Sequence, residues 1–137
     1  MVFSASAAAI LAQPDAAHAA CEDPPTAKVN WQGCDKSKAN LQNEANFSGP
    51  NLAGANLSGT QLEAARLMRA NLQGANLQGA NLRRAKLEGA DFQGADLRGA
   101  DLKDAYLADN KWDGAHLTGA LWIDGRKCGP NSIGKCR

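Results

Sequence analysis

The chain has 137 residues, the size of one domain, with 15 Lys+Arg against 14 Asp+Glu and a formal net charge of +1. That near-balance argues against a nucleic-acid binder driven by bulk positive charge, and equally against a strongly acidic mimic of nucleic acid. With 27 Ala, 15 Leu and 14 Gly against 2 Val, 3 Ile and 3 Thr, the chain is too poor in β-branched residues for an ordinary β-sandwich, and no apolar run reaches the roughly 18 residues of a membrane-spanning helix.

The first element is a leader. Residues 2–12 are apolar or small, with no Lys or Arg before them, and Ala17-His18-Ala19 fits the small-x-small rule for signal-peptide cleavage. Residues 1–19 are therefore read as a signal peptide, with an Ala-rich leader of no sorting role as the alternative. A lipidated Cys21 would want Leu or a similar residue where His18 stands. Four cysteines follow the leader: Cys21, Cys34, Cys128 and Cys136. They allow three pairings. Sequence proximity favours Cys21–Cys34 and Cys128–Cys136, because short loops close at low entropy cost. Zinc fits badly, since there is no CxxC and no His beside either pair. Export and paired cysteines agree with one another, because disulfides persist outside the cytosol.

From Ala45 to Asp124 a five-residue unit runs without a gap. Its central position, from Phe47 through Leu52 to Trp122, is large and apolar in 16 of 16 units. Two residues earlier stands Ala in 13 of 16, the exceptions being Pro50, Thr60 and Asn110. Two residues later stands Gly in 10 of 16, and the residue between Ala and the centre is usually Asn or Asp. An earlier unit, 39–43, is displaced by one residue at Glu44. A helix with this period would scatter its Leu side chains over every face. Each glycine would also cost it about 1 kcal/mol relative to Ala. A flat strand needs inward residues at every second position. Here the inward steps alternate two and three, so one residue in five must turn a corner.

Units such as Ala70-Asn71-Leu72-Gln73-Gly74 and Ala90-Asp91-Phe92-Gln93-Gly94 resemble pentapeptide repeats. The resemblance implies an all-β solenoid, a right-handed quadrilateral β-helix with four units per coil. Residues 45–124 then make about four coils, with 20–44 and 125–137 as irregular caps pinned by disulfides. The segments around Cys21, Trp31–Cys34 and Trp122–Cys136 are similar to the ends of exported bacterial members. Residues 20 apart should stack, which places the larger aromatics mostly at the two ends. Open solenoid ends expose strand edges, and caps are the usual remedy.

Two corners of such a shaft are lined by glycine, at 54, 74, 94 and 114 and at 59, 79, 99 and 119. The other two carry Ala64, Arg69, Arg84, Asp104, Asp109 and Asp124 among their glycines. Arg66, Arg69, Arg83, Arg84 and Lys86 gather there and form the candidate interaction patch for an anionic partner. The competing reading is a set of cross-coil ion pairs, Glu63 on Arg83 and Arg84 on Asp104.

No catalytic residue, cofactor site or metal site emerges. His18 leaves with the leader, and His116 stands alone in an outward column. Asp91, Asp96 and Asp101 fall on three different faces and cannot converge on one calcium ion. The expectation is an exported, non-catalytic structural or interaction module, periplasmic or secreted. Its partner would be a protein or envelope component, with no nucleic acid and no membrane insertion, and with end-to-end self-association as a further option. The alternative is the DNA mimicry by which some family members bind topoisomerases. That role calls for an acidic rod, whereas residues 45–124 carry 8 basic and 9 acidic residues.

Overall fold

The corner required by the sequence is a single residue with left-handed backbone. It recurs two places after each central residue from Phe47 to Leu117, for example at Gly54, Gly59, Ala64 and Arg69, with φ of 64°, 64°, 58° and 58°; after Trp122 it falls one residue later, at Gly125 (φ 83°) and not at Asp124. Glycine reaches this conformation without steric strain, which explains its frequency there. In the computed structural model, residues 21–43 and 47–137 are described, and the leader reading (1–19) lies outside them. Four straight sides between corners close a coil, and coils stack in parallel at a 20-residue offset, as in Asn51↔Asn71↔Asp91↔Lys111. Pairing among the described residues is by one bridging residue per side, never a longer strand.

Each unit distributes its backbone groups in a fixed way. The bridging residue donates back to the coil before it (Asn71 N to Pro50 O, 3.0 Å). The central and corner residues donate forward (Leu72 N to Asp91 O, 2.8 Å; Gly74 N to Gln93 O, 2.9 Å). The Ala that follows closes the turn locally (Ala75 N to Leu72 O, 3.1 Å). The preference for Asn or Asp at the bridge also has a local cause. The side-chain oxygen accepts from the N–H two residues on, as Asp91 Oδ1 does from Gln93 N at 3.0 Å.

The central side chains fill the shaft. Face one carries Phe47, Leu67, Leu87 and Leu107; face two Leu52, Leu72, Phe92 and Trp112; face three Leu57, Leu77, Leu97 and Leu117; face four Leu62, Leu82, Leu102 and Trp122. All are fully buried except Leu107, Trp112 and Trp122, which are half-buried at the last turn. There Trp112 stacks on Phe92, ring centroids 4.4 Å apart, and meets the edge of Trp122 at 5.4 Å. Trp31 and Phe47 lie 5.4 Å apart at the opposite end. The exceptions in the Ala columns are accommodated individually. Thr60 is fully buried and donates its hydroxyl to Lys36 O (3.1 Å). Asn110 donates Nδ2 to Leu87 O (2.6 Å) and Ala90 O (3.2 Å), while its Oδ1 is buried without a partner. Pro50 lacks only the local turn donor, because its carbonyl still accepts from Asn71.

The N-terminal segment differs from the irregular cap expected over 20–44. Asn30, Asp35 and Asn40 bridge to Asn51, Asn56 and Gln61, each 21 residues on. Residues 29–43 therefore form three sides of a further coil, so that the ladders on faces two, three and four have five rungs. The extra residue falls within 43–47, where the frame shift at Glu44 was read. The pattern is concealed because Val29 and Cys34 occupy the Ala column and Lys36 a Leu column. Lys36 ends that column by donating Nζ to Cys21 O and lying 4.0 Å over the Trp31 ring. Cys21 is tied to Cys34 beneath the coil, with Cα atoms 5.5 Å apart.

At the other end the chain reverses. Lys127 and Ile133 bridge antiparallel to Leu121 and His116. Ser132 O, Cys128 O and Arg126 O accept from Leu117, Gly119 and Trp122. The cap thus covers the edges of faces three and four, with Cys128–Cys136 closing it at a Cα separation of 4.9 Å. Among the described residues no helix is long and apolar enough to cross a membrane.

Candidate interaction surface

The decorated side of the shaft is built by two corner columns and the face between them. The corner leading into face one holds Asn43, Ala64, Arg84 and Asp104, all left-handed with φ between 56° and 60°. The corner leaving it holds Lys28, Gly49, Arg69, Gly89 and Asp109, likewise with positive φ. Left-handed backbone costs an L residue roughly 1–2 kcal/mol. The side chains at these corners are therefore held against a local preference for glycine.

On face one the outward residues Arg66 and Lys86 bridge directly and are exposed. Among the described residues no ion pair within 4 Å involves Arg66, Arg69, Arg84, Lys86 or Lys28; the three formed are Arg83–Asp101 (3.6 Å), Arg98–Asp96 (2.6 Å) and Arg126–Asp124 (3.4 Å). The stacked pairs Glu63–Arg83 and Arg84–Asp104 do not form. Arg83 leans instead along a diagonal to the residue 18 ahead, as do Gln73 Nε2 to Asp91 (2.7 Å) and Gln78 Nε2 to Asp96 (2.8 Å), whereas Gln93 Nε2 meets Asp113 straight above it, 20 ahead (3.2 Å). Like charges on Arg66 and Lys86 consequently stand together with no bonded counter-charge. Glu88, beside them, keeps a buried Oε2 with no hydrogen-bond partner.

Of the five expected patch residues, Arg66 and Lys86 share face one, while Arg69 and Arg84 flank it from the two corners. Arg83 turns onto face four and is engaged by Asp101. Lys28, missed in the sequence, joins the group. It heads the column above Gly49, and with Ser48, Gly49, Met68 and Arg69 it lines an open groove of about 330 Å³. The Arg69 stem crosses Gly89 so closely that a Cβ there would stand 3.3 Å from its Cγ. Lys28 could have been found by carrying the five-residue frame back through the extra residue.

The plain faces carry the stronger individual pair. Arg98 grips Asp96 through Nε (2.9 Å) and Nη2 (2.6 Å). The Arg98 hydrogen bond holds the Asp96 carboxyl below its usual 3.8. Among the described residues no group of three or more His, Cys, Asp or Glu is placed to hold a metal ion.

A four-sided solenoid with one bridging residue per side and left-handed corners defines a five-residue β-repeat protein. The family model for pentapeptide repeats matches in eight copies over residues 43–67 and 65–104, and the chain belongs to that family. Among solved structures, HetL of Nostoc sp. strain PCC 7120, a pentapeptide repeat protein involved in heterocyst differentiation regulation, is 33% identical. The match covers 72% of this chain and 53% of HetL, at a TM-score of 0.39, so the chain spans about half of that relative. The Nostoc pentapeptide repeat protein alr5209 is 31% identical over 73% of this chain and 79% of its own, at a TM-score of 0.30. QnrB1, a plasmid-mediated fluoroquinolone resistance protein, is 20% identical over 78% of this chain and 63% of its own, at a TM-score of 0.52. No curated protein matches the sequence significantly.

Proposed function

We propose that this chain is a non-catalytic interaction module of an oxidising compartment outside the cytosol, periplasmic or extracellular, wound as a right-handed quadrilateral β-helix. Family membership supports the interaction role and the handedness. The observation that carries the reading of its surface is the set of cations around face one that form no ion pair among the described residues. Arg66 and Lys86 are stacked, with Arg69, Arg84 and Lys28 at the flanking corners and no ion pair among them. Such a surface suits an acidic face of a protein or envelope component. Its sign is opposite to what DNA mimicry requires, and the likeness to QnrB1 is one of fold alone. Export is supported by the leader sequence and by two disulfides that leave no free cysteine among the described residues.

Two measurements test this. The protein recovered from a cell able to export it should lack residues 1–19 and keep four thiols blocked until reduction. A full-length product with free thiols would overturn the localisation. Oxidised protein should bind a polyglutamate matrix at low salt, and Arg66→Glu/Lys86→Glu should abolish retention. Unchanged retention would overturn the docking face.

A further inference from the structure

The two ends of the shaft are finished differently from its middle, and the C-terminal end is finished over only half of its cross-section. The returning segment pairs with faces three and four and stops there. It stands one strand spacing, roughly 4.8 Å, above the last coil. Faces one and two at the same turn are left a step lower. On that lower half the backbone N–H groups of Leu107, Asp109, Trp112 and Gly114 find no backbone acceptor among the described residues. Their counterparts one coil below, Leu87, Gly89, Phe92 and Gly94, all donate forward.

The halves also differ in chemistry. The raised segment, residues 125–137, contains Arg126, Lys127, Lys135 and Arg137 and no Asp or Glu. Arg126 is held by Asp124, whereas Lys127, Lys135 and Arg137 form no ion pair among the described residues. The lower half, residues 105–114, carries Asp109 and Asp113 against a single Lys111. The exposed large apolar side chains among the described residues are Tyr106 (55%) and Ile133 (48%), one on each half of this end. Leu107 and Trp112 on the lower half are only half-buried, although Leu87 and Phe92 beneath them are fully buried.

A raised basic half beside a lowered acidic half is self-complementary. Consider a two-fold axis perpendicular to the shaft, lying along the line between the halves. It exchanges face three with face two and face four with face one. The raised segment of a second copy then enters the step of the first, with its Lys127 above face one and its Ile133 above face two. The same operation fills the other step. We propose that two copies of this chain associate tail to tail in this way, each C-terminal segment seating on the uncovered edge of the other. An isologous contact of this kind closes on itself as a dimer and does not grow into a filament. An unrelated extended peptide could pair with the open edge, but it would match neither the height of the step nor its charge. The arrangement leaves the cationic face one of both shafts open along their length, so it stands or falls independently of the docking role.

Sedimentation equilibrium of the oxidised full chain over a concentration series tests the proposal. A reversible monomer–dimer equilibrium is expected, and it should weaken as salt is raised, because the charges involved are exposed. Asp109→Lys and Lys127→Glu should each weaken the dimer at least tenfold, and the double swap should recover much of the loss. Lysine already occupies the left-handed corner at 28 and 38, so Asp109→Lys is compatible with the fold. Unchanged thermal melts would show that the shaft is intact in each variant. A monomer at all concentrations would overturn the inference, as would a dimer indifferent to both charge reversals.

Discussion

Along the corner after face two, positions 54, 74, 94 and 114 are all glycine, while along the corner after face four the same position holds Ala64, Arg84 and Asp104. The backbone is left-handed in both columns. One solenoid thus solves a single geometric problem in two ways. The glycine corners meet it without strain and present nothing to solvent. The decorated corners accept strain and place charged side chains beside face one. Strained positions that persist are pointers to function when something else accompanies them. Here the accompaniment is the adjacent pair Arg66 and Lys86, stacked without ion pairs.

The comparison can be broken from the inside outwards. If the two halves differ only at the corners, the core should not distinguish them. Leu77→Ala on face three and Leu67→Ala on face one remove side chains that are equally buried. Each should cost about 2–5 kcal/mol in urea denaturation. A large difference between them would mean that the halves differ in packing as well as surface.

The corners themselves should respond with opposite signs. At Gly74 an added Cβ meets nothing within 4 Å, so Gly74→Ala should lose only conformational energy, about 1 kcal/mol. Arg84→Gly should instead raise stability, by up to about 1 kcal/mol. A destabilised Arg84→Gly would show that the guanidinium stabilises the native shaft, and would weaken the case for a free docking face.

The smallest effect concerns the paired charges of the plain side. The folded carboxyl of Asp96 titrates below 3.8 because Arg98 bonds it. Its contribution is therefore present above about that pH, and it is lost as pH falls through the lower folded value. Arg98→Ala should lower the melting temperature slightly at neutral pH, with the difference vanishing in strong acid. A difference that persists in acid would assign the effect to packing of the Arg98 stem.

The repeat was legible between Phe47 and Trp122 from its five-residue period, and its 20-residue register from the family resemblance which that period carries. The coil below them was not. Lys36 stands where the pattern calls for Leu, and only its contacts with Cys21 O and Trp31 show how a lysine ends a hydrophobic column. Stacking at 20 residues located the charged neighbourhood but not the partners. A long side chain can lean across to the next column, as Arg83 does in meeting Asp101 rather than Glu63. The antiparallel return of Lys127 and Ile133 had no sequence signal, since residues 125–137 carry no period. The half-finished end, and with it the proposed dimer, is a property of that return alone.

The constant 20-residue offset between Asn51, Asn71, Asp91 and Lys111 makes the shaft a ruler with a fixed graduation. Adding or removing one whole coil leaves every column, corner and cap in register, whereas a change of one to four residues must be absorbed between two sides, as the extra residue within 43–47 is, or it displaces each side chain from its column. Its length can therefore change only in whole steps of about 4.8 Å. A gene for such a chain can lengthen by duplication of a coil without having to invent a new core.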